Sequence, residues 1–118
     1  MQITNIINKI PEAFNPDSPL KATIVVKIEG EGGENFTIKT EQGSCIVDNI
    51  ISDKPDAIVI MNITAFSFIV AEQMSLAEAI GDGHAQVSYG DSGVASDLFE
   101  NIDMTILQVT EDEEDEKE

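Results

Sequence analysis

The stretch Met74-Ser75-Leu76-Ala77-Glu78-Ala79-Ile80-Gly81-Asp82-Gly83-His84-Ala85-Gln86-Val87-Ser88-Tyr89-Gly90-Asp91 decides the fold. Ser75, with Glu78 three residues later, forms a capping box. The hydroxyl accepts from a free N–H of the first helical turn, and the glutamate reaches back to the serine N–H. The short helix this opens is predicted to end at Gly81, since glycine readily closes helices. Residues 84–89 alternate, which predicts a strand with Ala85, Val87 and Tyr89 on one face. Gly90-Asp91-Ser92 reads as a turn that also supplies an N-cap oxygen.

C-terminal to this stretch, Val94, Leu98 and Ile102 fall at i, i+4 and i+8, with Ala95 and Phe99 beside them, the stripe of a last helix. Residues 104–109 alternate weakly and predict an edge strand or a flap. N-terminal to it, residues 64–73 predict a helix of unusual composition. At ~100° per residue, Phe66 and Phe68 point about 160° apart, and Ile69, Val70 and Ala71 fill much of the remainder. A helix apolar on nearly every side is buried on more than one side. Either core lies on both flanks, or one flank meets a sheet and the other lines a cavity. Phe66 shares its face with Ile69 and Val70, so it is assigned to the sheet side and Phe68 to the cavity side.

Further upstream, Ala57-Ile58-Val59-Ile60-Met61 is continuously apolar, as in a central strand covered on both faces. Asp53-Lys54-Pro55-Asp56 breaks the chain before it. Ala22, Ile24, Val26 and Ile28 alternate with Thr23, Val25, Lys27 and Glu29, and Phe36 and Ile38 alternate with Thr37 and Lys39. With a short segment from Ser44 to Asp48 and Gly-bearing loops between, these predict an antiparallel meander. Ile3, Ile6, Ile7 and Ile10 form one face of an N-terminal helix that Pro11 should stop or kink. Phe14 adds an apolar anchor.

The 118 residues hold 23 Asp and Glu against 6 Lys and no Arg, a net charge of −17. That balance excludes a nucleic-acid binder, which needs cations to displace counterions from phosphates, and a basic patch for anionic membranes. No apolar run approaches the ~18 residues of a membrane span, and no signal peptide is visible. A cytoplasmic location without stable membrane insertion is expected. The tail, residues 111–118, holds seven acids and one Lys. It is expected to be disordered, leaving residues 1–110 as the folded domain.

Catalytic patterns are missing. The single His84 has no partner for a His-rich metal site, and the single Cys45 has no second cysteine and reads as a small apolar residue. Gly30-Glu31-Gly32-Gly33 lacks the spacing of a dinucleotide loop, and no EF-hand spacing occurs. The expectation is a non-enzyme with no metal and no cofactor.

The order of elements resembles the sterol carrier protein type two domain, a sterol-binding and lipid-transfer family. The resemblance is closest over residues 57–99, on Met74-Ser75-Leu76-Ala77-Glu78-Ala79 and Gly83-His84-Ala85-Gln86-Val87-Ser88-Tyr89-Gly90-Asp91. Ile10-Pro11-Glu12-Ala13-Phe14-Asn15-Pro16 is similar to the family's opening. The family usually has Gly just after the central helix, where this chain has Glu72. The resemblance implies an α+β fold: a mostly antiparallel sheet of about five strands, helices on one face, and an apolar tunnel between them. It implies non-catalytic binding or carriage of a sterol, fatty acid or acyl chain. The candidate lining residues are Phe66, Phe68, Ile69, Met74, Leu76, Ile80, Val87 and Phe99. The alternative is a structural or protein-interaction module with a filled core, assembling with itself or with a protein partner.

Overall fold

The computed structural model describes residues 3–108. The acidic tail and Val109 lie outside them. In chain order the elements are α1 (Ile3–Ala13), β1 (Ala22–Glu29), β2 (Asn35–Glu41), β3 (Ser44–Asp48), β4 (Ala57–Asn62), α2 (Ile63–Val70), α3 (Leu76–Gly81), β5 (Ala85–Gly90) and α4 (Ser92–Glu100). Residues 104–108 add a last helical stretch. The five strands form one sheet in the order β3-β2-β1-β4-β5. β1 and β4 pair in parallel, and the other pairs are antiparallel. The predicted α+β class and meander are present.

Period-two burial sets the two faces of the sheet. Ile24, Val26, Ile28, Phe36, Ile38, Val59 and Met61 point inward and share one core with the Ile face of α1 and with Ala65, Phe66, Ile69, Leu76, Leu98 and Phe99 from the other helices. Helices α1 to α4 therefore lie on one face. α1 packs on β3, while α2, α3 and α4 pack on the side of β1, β4 and β5.

β4 departs from its apolar pattern. Ala57, Val59 and Met61 are buried, but Ile58 and Ile60 are only half-buried because no helix among the described residues covers the outer face. That face receives the crossover of residues 49–56 instead. Thr37 donates from Oγ1 to the Ile50 carbonyl (2.9 Å) and accepts from the Ser52 N–H (3.0 Å), which holds the loop down and seals Thr37 and Val25 from solvent.

Pro11 does not stop α1; the helix continues past it to Ala13. Buried contacts hold this last turn. Ala13 and Phe14 are both 3% exposed, and Phe14 bridges to Ile102. The Asp103 N–H donates to the Ala13 carbonyl (2.8 Å), and the Asn15 N–H donates to Asn101 (2.8 Å).

The capping box forms as read: Ser75 accepts from the Glu78 N–H (3.0 Å), and Glu78 accepts from the Ser75 N–H (2.9 Å). α3 ends at Gly81 as predicted, and Gly83 (φ +84°) takes the left-handed position just beyond it. The Gly83 N–H donates to Ile80 and the His84 N–H to Ala79, the paired bonds of a Schellman motif. α2 ends the same way, with the Glu72 N–H donating to Ile69 and the Gln73 N–H to Phe68. There the left-handed position, φ +63°, is held by Glu72. This is the position where the resembling family places glycine. A side chain in that region costs ~1–2 kcal/mol. Glu72→Gly is accordingly expected to raise stability by about 1 kcal/mol in urea unfolding, and a loss of stability would contradict the assignment.

Tyr89 does not share the face of Ala85 and Val87. The register steps from Val59↔Val87 to Ile58↔Tyr89, leaving Ser88 as a bulge, and one extra residue inverts the alternation beyond it. Residues 104–108 form no strand. Met104 and Leu107 follow helical spacing, and Leu107 is buried.

Acidic repulsion is weakly compensated. Among the described residues the ion pairs are Lys9–Glu12 (3.6 Å) and Lys21–Glu41 (3.8 Å), both at the surface, where such pairs contribute ~0–1 kcal/mol. Raising ionic strength from roughly 0.01 M to 0.15 M shortens the screening length from ~30 Å to ~8 Å. The thermal midpoint is therefore expected to rise over that range; a fall would show that attractive pairs dominate.

Candidate ligand-binding groove

α2, α3 and α4 meet residues 104–108 around an open groove of about 360 Å³. Ile69 of α2, Met74 of the connection, Leu76 of α3, Phe99 of α4, and Ile102 and Met104 beyond it supply the apolar wall. Glu72, Gln73, Ser75, Glu78 and Glu100 are exposed around it. The local structure positions these groups tightly. The Schellman turn at Glu72 reverses the chain, the Ser75 cap restarts it as α3, and Met74 is set between the two. Gln108 donates from Nε2 to the Val70 carbonyl (2.7 Å), tying the last helical stretch to the end of α2.

Four of the eight candidate residues line this groove: Ile69, Met74, Leu76 and Phe99. Ile80 and Val87 line a separate hollow beside β5, together with Glu29, Asn62, His84, Gln86 and Ser92. That hollow is larger, about 740 Å³, and Ile60, Met61 and Ala85 also line it, but its walls are more polar than those of the groove. Phe66 is 2% exposed and belongs to the core, as its shared face with Ile69 and Val70 implied. Phe68 corrects the expectation: it is 42% exposed and lines neither space, because α2 has the core on one flank and solvent on the other. Ile102 and Met104 were not among the candidates. Ile102 lies on the α4 stripe, and Met104 was hidden by reading its segment as a strand.

Electrostatics around the groove have one sign. Residues 57–108 contain seven acids and neither Lys nor Arg, and Glu72, Glu78 and Glu100 stand at the groove itself. Elsewhere, burial pushes the Cys45 thiol up to about 11. It stays protonated near neutrality and is a poor nucleophile. No three His, Cys, Asp or Glu side chains among the described residues are grouped to hold a metal ion. No helix among them is long and apolar enough to cross a membrane.

No protein-family model matches the chain, and no curated protein sequence does. Solved structures do match. The crystal structure of Sterol Carrier Protein 2 Like 2 from Aedes aegypti superposes with a TM-score of 0.65 at 23% identity, covering 86% of this chain and 97% of that one. This chain has the sterol carrier protein 2 fold. The solution structure of the palmitated form of the same mosquito protein gives a TM-score of 0.65 at 21% identity, covering 85% of this chain and 93% of that one. The inverting sec-alkylsulfatase Pisa1 from Pseudomonas contains a similar unit, with a TM-score of 0.71 at 17% identity over 82% of this chain. This chain spans only 16% of that enzyme. The sterol carrier protein 2 fold thus occurs both as a nearly whole protein and as a small part of a larger enzyme.

Proposed function

We propose that this chain binds an elongated apolar ligand, a lipid or acyl chain, without catalysing a reaction on it. The observation that carries the reading is the convergence of Ile69, Met74, Leu76, Phe99, Ile102 and Met104 on one open groove. Its volume lies at the lower end of the ~300–1,000 Å³ that hold small-molecule ligands. Each methylene taken from water contributes about 0.8 kcal/mol, so affinity should grow with chain length. The palmitated state of the Aedes protein supports the reading, since a protein of the same fold is found with palmitate.

A second reading, an interaction module with no ligand, draws on the opposite face. Ile46, Ile50 and Tyr89 are 59%, 75% and 58% exposed on the outer side of the sheet and its crossover. Native mass spectrometry and uptake of a fluorescent fatty-alcohol probe separate the two. Saturable 1:1 uptake, strengthened by added methylenes and weakened in Leu76→Ser, is the expected result. A chain that takes up no probe and shows no bound lipid would leave the interaction reading standing.

A further inference from the structure

We propose that the groove takes a cationic single-chain amphiphile, such as a long-chain amine or quaternary ammonium, and rejects the carboxylate of a fatty acid. This rests on the groove being the ligand site. The apolar wall provides for the chain, while the head group at the mouth meets Glu72, Glu78 and Glu100. No cation among the described residues is placed to offset them. The lysines at 9, 21, 27, 39 and 54 all precede β4, whereas residues 57–108, which build the groove, have none. The missing Lys and Arg matter as much as the glutamates, since no cationic side chain among the described residues lines the groove to offset an anionic head. Glu78 is bonded to the Ser75 N–H. Glu72 is fixed outside the end of α2 by its left-handed backbone, and Glu100 ends α4. Glu72 and Glu100, free of such a cap, are the residues that set head-group specificity.

A unit charge at ~4 Å from an opposite one in watery surroundings gains about fivefold in affinity. Three carboxylates at one mouth give on the order of tenfold or more at low ionic strength, and screening reduces the gain as salt is added. Calorimetry with decyltrimethylammonium, decanol and decanoate, on the full chain and below micelle formation, tests this directly because the chain is constant and only the head changes. The expected order is the ammonium first, the alcohol second and the carboxylate last, with the spread narrowing in salt. In Glu72→Gln/Glu100→Gln the ammonium-to-alcohol affinity ratio should fall toward one. In Glu31→Gln/Asp53→Asn, which removes the same charge at two positions that do not line the groove, the ratio should hold. Circular dichroism confirms that both variants are folded.

The outcomes separate the two readings. If decanol binds but the ammonium binds no better than decanoate, the head-group assignment is wrong and the groove stands. If the off-groove variant lowers the ratio as much as the groove variant, the overall charge of the protein is responsible and Glu72 and Glu100 are not specificity residues. If none of the three probes binds, the ligand reading itself fails.

Discussion

Gly90→Ala is expected to lower the thermal midpoint by on the order of 10–20 °C, from a loss of about 3–5 kcal/mol. Gly90 has φ +84°, and a Cβ built on it falls 2.0 Å from the Asp56 carbonyl oxygen. That oxygen cannot easily retreat. The Asp56 N–H donates to the Thr23 carbonyl (2.7 Å), its carboxylate accepts from the Thr23 N–H (2.8 Å), and the next residue, Ala57, pairs with Gly90 in the sheet. The strain of a side chain in the left-handed region, ~1–3 kcal/mol, therefore adds to a clash against pinned backbone. Gly81→Ala is the internal comparison. Gly81 ends α3 with nothing within 4 Å of its would-be Cβ. Alanine there should be neutral or stabilising by up to ~1 kcal/mol. Equal losses for the two variants would show that the close approach at Gly90 relaxes freely.

The same glycine shows what the sequence could disclose. Gly90-Asp91 was legible as a turn and cap, and the Asp91 carboxylate indeed accepts from the Gly93 N–H (2.7 Å). The reason glycine is required, a carbonyl 34 residues earlier, is a long-range contact with no local signature. The capping box and the alternating core of β1 and β2 were readable because their signals lie within a few residues. The Ser88 bulge was not, since nothing in Gln86-Val87-Ser88-Tyr89 marks an inserted residue until Ile58 and Val59 are found opposite it. The run of residues 57–61 promised cover on both faces. It received helices on one face and a crossover loop over part of the other, which no periodicity distinguishes.

The groove was half legible for a related reason. Ile69, Met74, Leu76 and Phe99 came from elements whose type and phase were read correctly. Met104 was lost with its segment. The excess of apolar side chains on α2 was a true signal, but it had more than one resolution, a cavity or an exposed residue. Burial decides between them, and pattern alone cannot.

That ambiguity yields the sharpest contrast between neighbouring side chains. Phe66→Ala is expected to cost ~3–5 kcal/mol, the range for a phenyl ring removed from a packed core. Phe66 is 2% exposed and packs within the sheet-facing core. Its cavity cannot collapse without moving the strands that hold it. Phe68→Ala, two residues on, should cost about 1 kcal/mol or less, because a ring already 42% exposed gives up little burial and leaves no enclosed void. The two also differ in what they predict for binding. Phe68 lines neither space, so its truncation should leave fatty-alcohol uptake within about twofold, well under the tenfold that ~1.4 kcal/mol represents. Urea unfolding and probe titration on the same pair of variants read both quantities. If Phe68→Ala abolished uptake while stability held, the ligand would lie on the solvent side of α2, and the groove formed by Ile69, Leu76 and Phe99 would be part of the core surface instead of the site.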